Sequence, residues 1–427
     1  MAEGKEVFEA MVAPPPHHEV RVGAYFYPQT SFCPDRLHRG LGVFKELGMA
    51  GFLEQSSELE LARTAPALFD GHDQPRTYCL PGKLPETDWD DYHTDTLQRQ
   101  CLIARRYGLS YFIVDAYDGV RGGETWSEFS EPLMQLDKVA RHTPTFRLMD
   151  DFKYAVMQTL ESARVVLPIP ARGRREYGNV YTEPDRYFDV SPDTARAMVR
   201  SGLQHWDNGA YLMVQGDRPY ISVLMPPFAP DETDAAIQAK LNDFVDALKT
   251  EAIRHNWEPY VVGVMRTTGE VQYKRWVEAG VDATTEYCDL VRHGWDAEPI
   301  QQYGDLVAAR RLGWDALRGA VPYMSSPAVG WDASPRGERG VTWDEVKGIH
   351  PYTPIVVGGT PDLFGQAVAD AIAYAKTAAP ADEQLITIFA WNEVTEGGVL
   401  IPRLLPDGTI DDSLLRAVQA AVIASRQ

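Results

Sequence analysis

Compact apolar runs alternate with amphipathic segments along this sequence of 427 residues, and this alternation restricts the possible folds more than any other feature. Residues 94–107 place apolar side chains at helical spacing, Gly108 suits the helix C-cap, and 109–114 (LSYFIV) predict a buried strand. Residues 237–248 form a second apolar helical stripe, and 260–265 (YVVGVM) follow it as a strand. A repeated succession of helix and buried strand is typical of βα units around a parallel sheet.

The number of strand candidates favours a closed barrel. A doubly wound sheet of similar size would carry a glycine-rich nucleotide loop, but Gly40 and Gly42 lack a third glycine at Lys45, and no Walker-type GK[ST] sequence occurs. The sequence therefore predicts an α/β fold of the (β/α)8 TIM-type barrel class, with elaborated loops on its C-terminal face. The candidate strands, about eight as a barrel requires, are 21–27, 109–114, 146–149, 219–224, 260–265, 281–284, 320–324 and 385–390.

One domain accounts for most of the chain. Residues 1–19 contain the sequence APPPHH and predict a flexible N-terminal arm, because proline fits neither a helix nor a strand ladder. Residues 20–427 show no internal repeat and no break in composition, so we expect a single (β/α)8 catalytic domain. Polar stretches near 56–91 and 168–195 would supply loops of the kind that build a barrel's active site.

Composition argues against several classes of partner. The formal net charge is -20, from 61 acidic and 41 basic residues, and would repel nucleic acid. No run approaches the roughly 20 apolar residues of a membrane span, and the N-terminus lacks a leader pattern, so we expect no membrane partner and a cytoplasmic location. No metal-binding pattern links the widely spaced Cys33, Cys79, Cys101 and Cys288, and we predict neither a metal nor a cofactor.

The segment 388–398 (IFAWNEVTEGG) contains the candidate catalytic pair. It reads as a strand that ends in polar residues and glycines, which on a barrel would lie at the C-terminal face. Glu393 and Glu396, on a turn or a first helical turn, can point into one cavity. Glycosyl transfer needs two such carboxyls, one protonated to assist the leaving group and one ionised. We therefore predict that both are catalytic; the alternative is a solvated Glu-x-x-Glu face.

Other polar and aromatic residues fall at predicted strand ends and in the loops after them. Aromatic rings there can stack on the apolar faces of sugars, and polar side chains can bind sugar hydroxyls. Asp115 could instead cap the following helix, and any one of the tryptophans could belong to the core. The predicted substrate-binding residues are Tyr25, Tyr27, Gln29, Asp115, Tyr117, Trp126, Glu286, Tyr287, Trp331, Asp332, Arg336, Trp391 and Asn392.

Several of these residues belong to segments that resemble a known family. Five segments of the sequence resemble segments of the glycoside hydrolase family 99-like proteins and occur in the same order. This family includes the WbsX-like proteins of bacterial polysaccharide loci. The resemblance extends from about residue 21 to 402. The segments that carry it are 23–29 (GAYFYPQ), 107–112 (YGLSYF), 211–219 (YLMVQGDRP), 330–336 (GWDASPR) and 391–397 (WNEVTEG).

The resemblance implies a (β/α)8 barrel and, as in characterised family members, retaining cleavage of α-mannosidic linkages. The family's Glu-Trp-His-Glu motif matches Glu393 and Glu396. The first glutamate would then deprotonate the sugar 2-hydroxyl to close a 1,2-anhydro sugar. The second would protonate the leaving oxygen and later activate water. Val394 and Thr395 replace the family's Trp-His, and Ile401 stands where the family has an acidic residue, so substrate contacts differ from those of the family.

The leading hypothesis is a glycoside hydrolase that acts on an oligosaccharide or glycoconjugate, with an intracellular oligosaccharide or a glycosylated small molecule as natural substrate. A glycosyltransferase of a polysaccharide or glycoconjugate pathway is the first alternative. It would need an activated sugar donor, and the sequence has no evident diphosphate site and no DxD motif in a convincing context. The second alternative is a non-catalytic carbohydrate-binding barrel, in which the glutamates only accept hydrogen bonds from hydroxyls.

Overall fold

A computed structural model of the protein describes residues 19–28, 58–72, 76–78, 94–128, 133, 136–137, 152–160, 188–228, 231–266, 269–292 and 297–427. Several sequence predictions lie wholly or partly outside the described residues. They are the N-terminal arm up to residue 18, Gln29, the strand at 146–149, the side chain of Trp126, part of the loop near 56–91 and most of the loop near 168–195.

Eight parallel strands form one nearly closed barrel, as predicted. Hydrogen bonds join the first seven strands in chain order, and the first strand also pairs with the eighth. The gap between the seventh and eighth strands is bridged just beyond both of them, where Val329 N donates to Phe389 O at 2.9 Å and Phe389 N donates to Pro327 O at 3.1 Å. The barrel strands are β1 (Arg21–Phe26), β2 (Tyr111–Arg121), β3 (Lys153–Gln158), β4 (Arg218–Leu224), β5 (Tyr260–Met265), β6 (Ala283–Glu286), β7 (Tyr323–Met324) and β8 (Leu385–Ile388).

Helices follow or precede most strands and cover the barrel. The helices are α1 (Glu58–Thr64), α2 (Thr94–Arg106), α3 (Pro192–Trp206), α4 (Asp234–Arg254), α5 (Glu270–Ala279), α6 (Tyr303–Trp314), α7 (Trp343–Val346), α8 (Pro361–Ala378) and α9 (Ser413–Ala424). Short 3-10 helices lie at Asp315–Leu317, Ser334–Arg336 and Ala381–Glu383. Short strands outside the barrel are Glu124–Glu128, Met213–Val214, Ile300–Gln302, Ile355–Val357, Asn392–Glu393, Gly398–Val399, Arg403–Leu404 and Ile410–Asp411.

The core lies inside the barrel and between the barrel and its helices. All six residues of β5 are buried, because one face of the strand meets the interior and the other meets the helix layer. Gly263 on β5 leaves room for the Trp276 ring of α5, which occupies the space where a Cβ at position 263 would lie. Thr233 caps α4 by accepting a hydrogen bond from Ala236 N. Burial on both strand faces thus explains the apolar runs of the sequence.

Some strand boundaries differ from the prediction. β5 has the predicted bounds, whereas β6 and β7 begin at Ala283 and Tyr323, later than the predicted 281 and 320. β2 continues past the predicted 114 to Arg121 because it turns back on Glu124–Glu128 in an antiparallel hairpin. β3 pairs with β2 and β4 at 153–158, a segment that the sequence analysis did not predict as a strand.

Candidate active site

The segment after β8 forms a tight hairpin that carries both predicted catalytic glutamates. Asn392–Glu393 pairs antiparallel with Gly398–Val399, and Gly397 closes the turn at a φ of 76°. Glu396 N donates to Glu393 O at 3.1 Å, and Glu396 O accepts from Asp332 N at 2.7 Å. The hairpin therefore fixes the two glutamates relative to each other, at the C-terminal end of the barrel.

Arg336, from the 3-10 helix Ser334–Arg336 after β7, joins the two carboxylates. One guanidinium nitrogen, Nη1, contacts Glu396 Oε1, and the other, Nη2, lies 3.5 Å from Glu393 Oε2. Nε donates to Thr395 Oγ1 at 2.8 Å. Because one planar guanidinium contacts both glutamates, their carboxylates face a common space. Arg336 is thus placed at the predicted site.

Glu58 adds a third carboxylate that the sequence analysis missed. It is the first residue of α1, is buried, and has Oε2 4.0 Å from Arg336 Nη2. Tyr27 Oη donates to Glu58 Oε1 at 3.2 Å, and Thr395 Oγ1 donates to Oε2 at 2.7 Å. Its sequence context, ELELART, resembles that of a surface helix and gave no signal of this position.

Tyr287 links Glu393 to Asp115. The hydroxyl of Tyr287, just after β6, lies 2.5 Å from Glu393 Oε1 and 2.8 Å from Asp115 Oδ2. Both carboxyls are buried, and Asp115 projects from β2. The predicted residues Asp115 and Tyr287 therefore belong to the same cluster as Glu393 and Glu396.

Burial controls the ionisation of this cluster. It raises the pKa of Glu393 well above its usual range, and the charge of Glu396 adds to the effect, while Arg336 opposes it. Burial also raises the pKa of Glu396, which Arg336 partly offsets. For Arg336, burial alone would lower the pKa, but the carboxylates of Glu396 and Glu58 outweigh burial and raise it. The site can thus hold a proton and a carboxylate at the same time, as acid and base catalysis requires.

Asp332, also predicted to bind substrate, is occupied by protein partners. Its Oδ2 contacts Arg76 and lies 2.8 Å from His72 Nε2, and Oδ1 accepts from Ser334 N at 2.9 Å. Burial would raise the pKa of Asp332, but Arg76 and His72 lower it to about 2. The carboxylate therefore anchors the loop that carries Arg336, and the two partners were not predicted from the sequence.

Three of the predicted substrate ligands are held by hydrogen bonds to protein groups. Trp391 is fully buried, and its Nε1 donates to Gln100 Oε1 at 2.7 Å. Asn392 Nδ2 donates to Tyr27 O at 2.6 Å, and its Oδ1 accepts from Tyr27 N at 2.8 Å, so the amide pins β1 to the hairpin. The Glu286 carboxyl lies on the helix side of β6, 3.9 Å from the Arg310 guanidinium of α6, and accepts from Tyr323 Oη at 3.3 Å.

The remaining predicted aromatic residues surround the cluster. Tyr25 is fully buried, and its ring centroid lies 4.8 Å from that of Tyr287. Tyr27 and Tyr117 pack against each other. Trp331 stays partly exposed, with its ring against Phe389 at a centroid distance of 5.7 Å, and can therefore offer a face to a sugar.

Within the described ranges, no cluster of three or more His, Cys, Asp or Glu side chains could hold a metal ion. No helix there has the length and apolar character that crossing a bilayer requires.

The comparisons with known proteins agree with this architecture. No family model and no curated protein matches the sequence. One solved structure of the glycoside hydrolase family 99 endo-α-mannosidase from Bacteroides thetaiotaomicron is similar, with a TM-score of 0.54 at 12% identity over 96% of this chain and 98% of that chain. A second, in complex with bis-tris-propane, has a TM-score of 0.53 at 12% identity over 95% and 97%. The chain therefore has a fold like that of the family 99 glycoside hydrolases.

Proposed function

We propose that the protein is a retaining glycoside hydrolase in which Glu393 is the base and Glu396 the acid/base. The observation that carries this proposal is the shared contact of both carboxylates with Arg336 at the C-terminal end of the barrel. The fold, which is similar to that of an endo-α-mannosidase, supports the same class of reaction. We further propose a carbohydrate or glycoconjugate as substrate, with an α-mannoside as the first candidate.

The two glutamates differ in exposure, and this difference supports a different role for each. The Glu393 side chain is 4% exposed and the Glu396 side chain 13% exposed. The acid/base must reach both the leaving oxygen and, later, a water molecule, which suits the more accessible Glu396. Its raised pKa lets it keep a proton at a higher pH than an ordinary glutamic acid does.

The proposed reaction proceeds in two balanced steps. Glu393 takes the proton of the sugar 2-hydroxyl, whose oxygen attacks C1 while the bond from C1 to the leaving oxygen breaks. Glu396 gives its proton to that oxygen. Glu396 then takes a proton from water, the water oxygen bonds to C1, the 1,2-anhydro ring opens, and Glu393 returns its proton to O2. Two inversions at C1 give net retention.

Release of sugar or aglycone from a panel of α-mannosides, α-glucosides and arabinosides tests the proposal. We expect turnover by the wild type and a loss of roughly 10²-fold to 10⁴-fold in Glu393→Gln and Glu396→Gln, because each removes an acid or base group. Glu60→Gln is the control and should keep activity, because Glu60 lies on the same helix as Glu58 but is partly exposed and pairs with Arg63. Silence of the wild type on glycosides, with transfer from sugar nucleotides, would contradict a hydrolase and favour a transferase.

A further inference from the structure

One phenol lies between two buried carboxyl groups beside the proposed base. Tyr287 Oη is 2.8 Å from Asp115 Oδ2 and 2.5 Å from Glu393 Oε1. A phenol has a single proton, so it can donate to only one of them. The contact with the other carboxyl is a hydrogen bond only if this other carboxyl carries a proton and donates it to the phenol oxygen. The geometry therefore requires one additional proton in this group of three.

The surroundings of the two carboxyls differ, and this decides which of them holds the proton. Glu393 Oε2 lies 3.5 Å from the Arg336 guanidinium, which stabilises a carboxylate. Asp115 Oδ1 is buried, and no described group donates a hydrogen bond to it. An ionised Asp115 would be a buried charge that accepts one hydrogen bond from the described groups, the one from Tyr287, and this is costly. The proton therefore belongs on Asp115.

We propose that Asp115 is kept as the neutral acid and that, through Tyr287, it holds Glu393 ionised and oriented as the base. Asp115 donates to the Tyr287 oxygen, and Tyr287 donates to Glu393 Oε1. Glu393 Oε2 is then left to accept the substrate proton. Asp115 and Tyr287 are thus positioning residues that act behind the base. The role of Glu393 as a base rests on the proposed function, whereas the proton on Asp115 does not.

Burial raises the pKa of both Asp115 and Glu393, and the nearby Glu396 raises both further. The two differ because the guanidinium of Arg336 opposes the rise at Glu393. Burial also raises the pKa of Tyr287, so the phenol keeps its proton. The titratable and charged side chains that face this group from β1, β2 and the segments after β7 and β8 are Tyr25, Tyr117, Arg336, Glu393 and Glu396.

Infrared difference spectroscopy of the full-length resting protein at neutral pH tests where the proton lies. The spectrum of the wild type minus that of Asp115→Asn should contain a carboxylic acid C=O band, and this band should persist in Glu393→Gln. Asp118→Asn is the matched control, because Asp118 lies on the same strand but accepts from Ser201 Oγ at 3.0 Å, and it should leave the band in place. A band that disappears in Glu393→Gln and remains in Asp115→Asn would overturn the proposal.

Turnover gives a second readout that a purely structural role would not produce. The asparagine amide can donate to Tyr287 as a neutral acid does, so Asp115→Asn should lower kcat/KM by less than about tenfold. Asp115→Ala and Tyr287→Phe break the chain of hydrogen bonds and should lower it by roughly 10²-fold or more. Equal losses in Asp115→Asn and Asp115→Ala would contradict a neutral Asp115. If the wild type hydrolyses nothing, the proposed function fails, and the infrared band still decides where the proton lies.

Discussion

Arg336 is the residue on which the candidate site depends most. Its guanidinium faces Glu396, Glu393 and Glu58, and its Nε holds the hydroxyl of Thr395. The sequence analysis expected Arg336 to bind sugar hydroxyls, whereas its described contacts are with protein groups. The planar fork of arginine can direct separate donors at several acceptors, which a single ammonium group cannot do.

Substitution of Arg336 by lysine tests this dependence. We expect Arg336→Lys to lower kcat/KM by roughly 10-fold to 100-fold, because it removes at least one charge-assisted hydrogen bond worth about 1.5–3 kcal/mol. Steady-state kinetics on a glycoside that the wild type hydrolyses measures the loss. Arg311→Lys is the control, since the Arg311 side chain is 63% exposed and forms an ion pair with Asp370 at 3.0 Å. Unchanged kinetics in Arg336→Lys would contradict the role assigned to the guanidinium.

Asp332 predicts a pH-dependent contribution to stability. Its pKa is lowered from 3.8 to about 2, which corresponds to about 2 kcal/mol. A lowered pKa stabilises the fold above the ordinary pKa of about 4 and stops doing so as the pH falls towards about 2. Asp332→Asn should therefore lower the free energy of unfolding by about 2 kcal/mol at neutral pH and by roughly half as much near pH 3, where the folded carboxyl is still mostly ionised. Urea titrations measure both; an equal loss at the two pH values would contradict the account.

Residues of the candidate site could be predicted from the sequence only where they lie at or just after the end of an apolar run. Asp115, Tyr287, Glu393 and Glu396 follow or end apolar runs, and the structure brings them together. Glu58, His72 and Arg76 come from the polar stretch before residue 94, which has no periodic pattern to place them. Their positions depend on contacts with Arg336 and Asp332, which are remote in sequence.

The hairpin after β8 is the element that sets the relative positions of Glu393 and Glu396, the proposed catalytic pair. Gly397 is essential to its turn, because a Cβ there would lie 2.8 Å from Asp332 N, the donor to Glu396 O. Gly408 also has a positive φ, of 83°, but its Cβ would meet nothing within 4 Å. Substitutions at the two glycines therefore distinguish the effect of a left-handed backbone from the effect of a steric clash with Asp332 N.

Replacement of each glycine by alanine tests this difference. Gly408→Ala should cost about 1 kcal/mol of stability, from the left-handed backbone alone, and keep activity. Gly397→Ala should cost more and lower kcat/KM at least about tenfold, because the turn with Glu396 must move away from Asp332. Thermal unfolding and kinetics of the two variants measure this. Similar behaviour of both would show that the close approach at Gly397 is unimportant.

Strands were predictable where burial on both faces makes a long apolar run. β5 (Tyr260–Met265) matches its prediction because all six residues are buried. β3 (Lys153–Gln158) was missed because Lys153 and Gln158 leave only four less polar residues between them, and pairing with β2 and β4 defines the strand. The tertiary partners of a short strand are not visible in its own sequence.

At the scale of the whole molecule, closure of the barrel brings groups from distant parts of the chain to one end. Side chains from α1, β2 and the segments after β6, β7 and β8 form the cluster around Arg336 and Tyr287. The fold thereby buries several carboxyls that water would otherwise solvate. This burial is a cost in stability that the proposed activity explains.

Burial of these carboxyls predicts that the folded protein is less stable at alkaline pH. The pKa values of Asp115, Glu393 and Glu396 are raised, so their contribution to stability is complete below the ordinary pKa of about 4 and is lost as the pH rises through the folded values. The melting temperature of Asp115→Asn relative to the wild type should therefore rise from about pH 5 to about pH 9. Asp344→Asn, at an exposed site, is the control. A constant difference for Asp115→Asn would contradict raised pKa values.

The division of roles between the two glutamates is tested most directly by varying the leaving group. An activated aryl leaving group needs little protonation, so Glu396→Gln should lose roughly 10²-fold to 10⁴-fold on an alkyl or sugar leaving group and much less on the aryl glycoside. Glu393→Gln should lose activity on both kinds of substrate, because the base is needed whichever group leaves. The reverse pattern, or equal losses in both variants on both substrates, would contradict the assignment of Glu396 as acid/base and Glu393 as base.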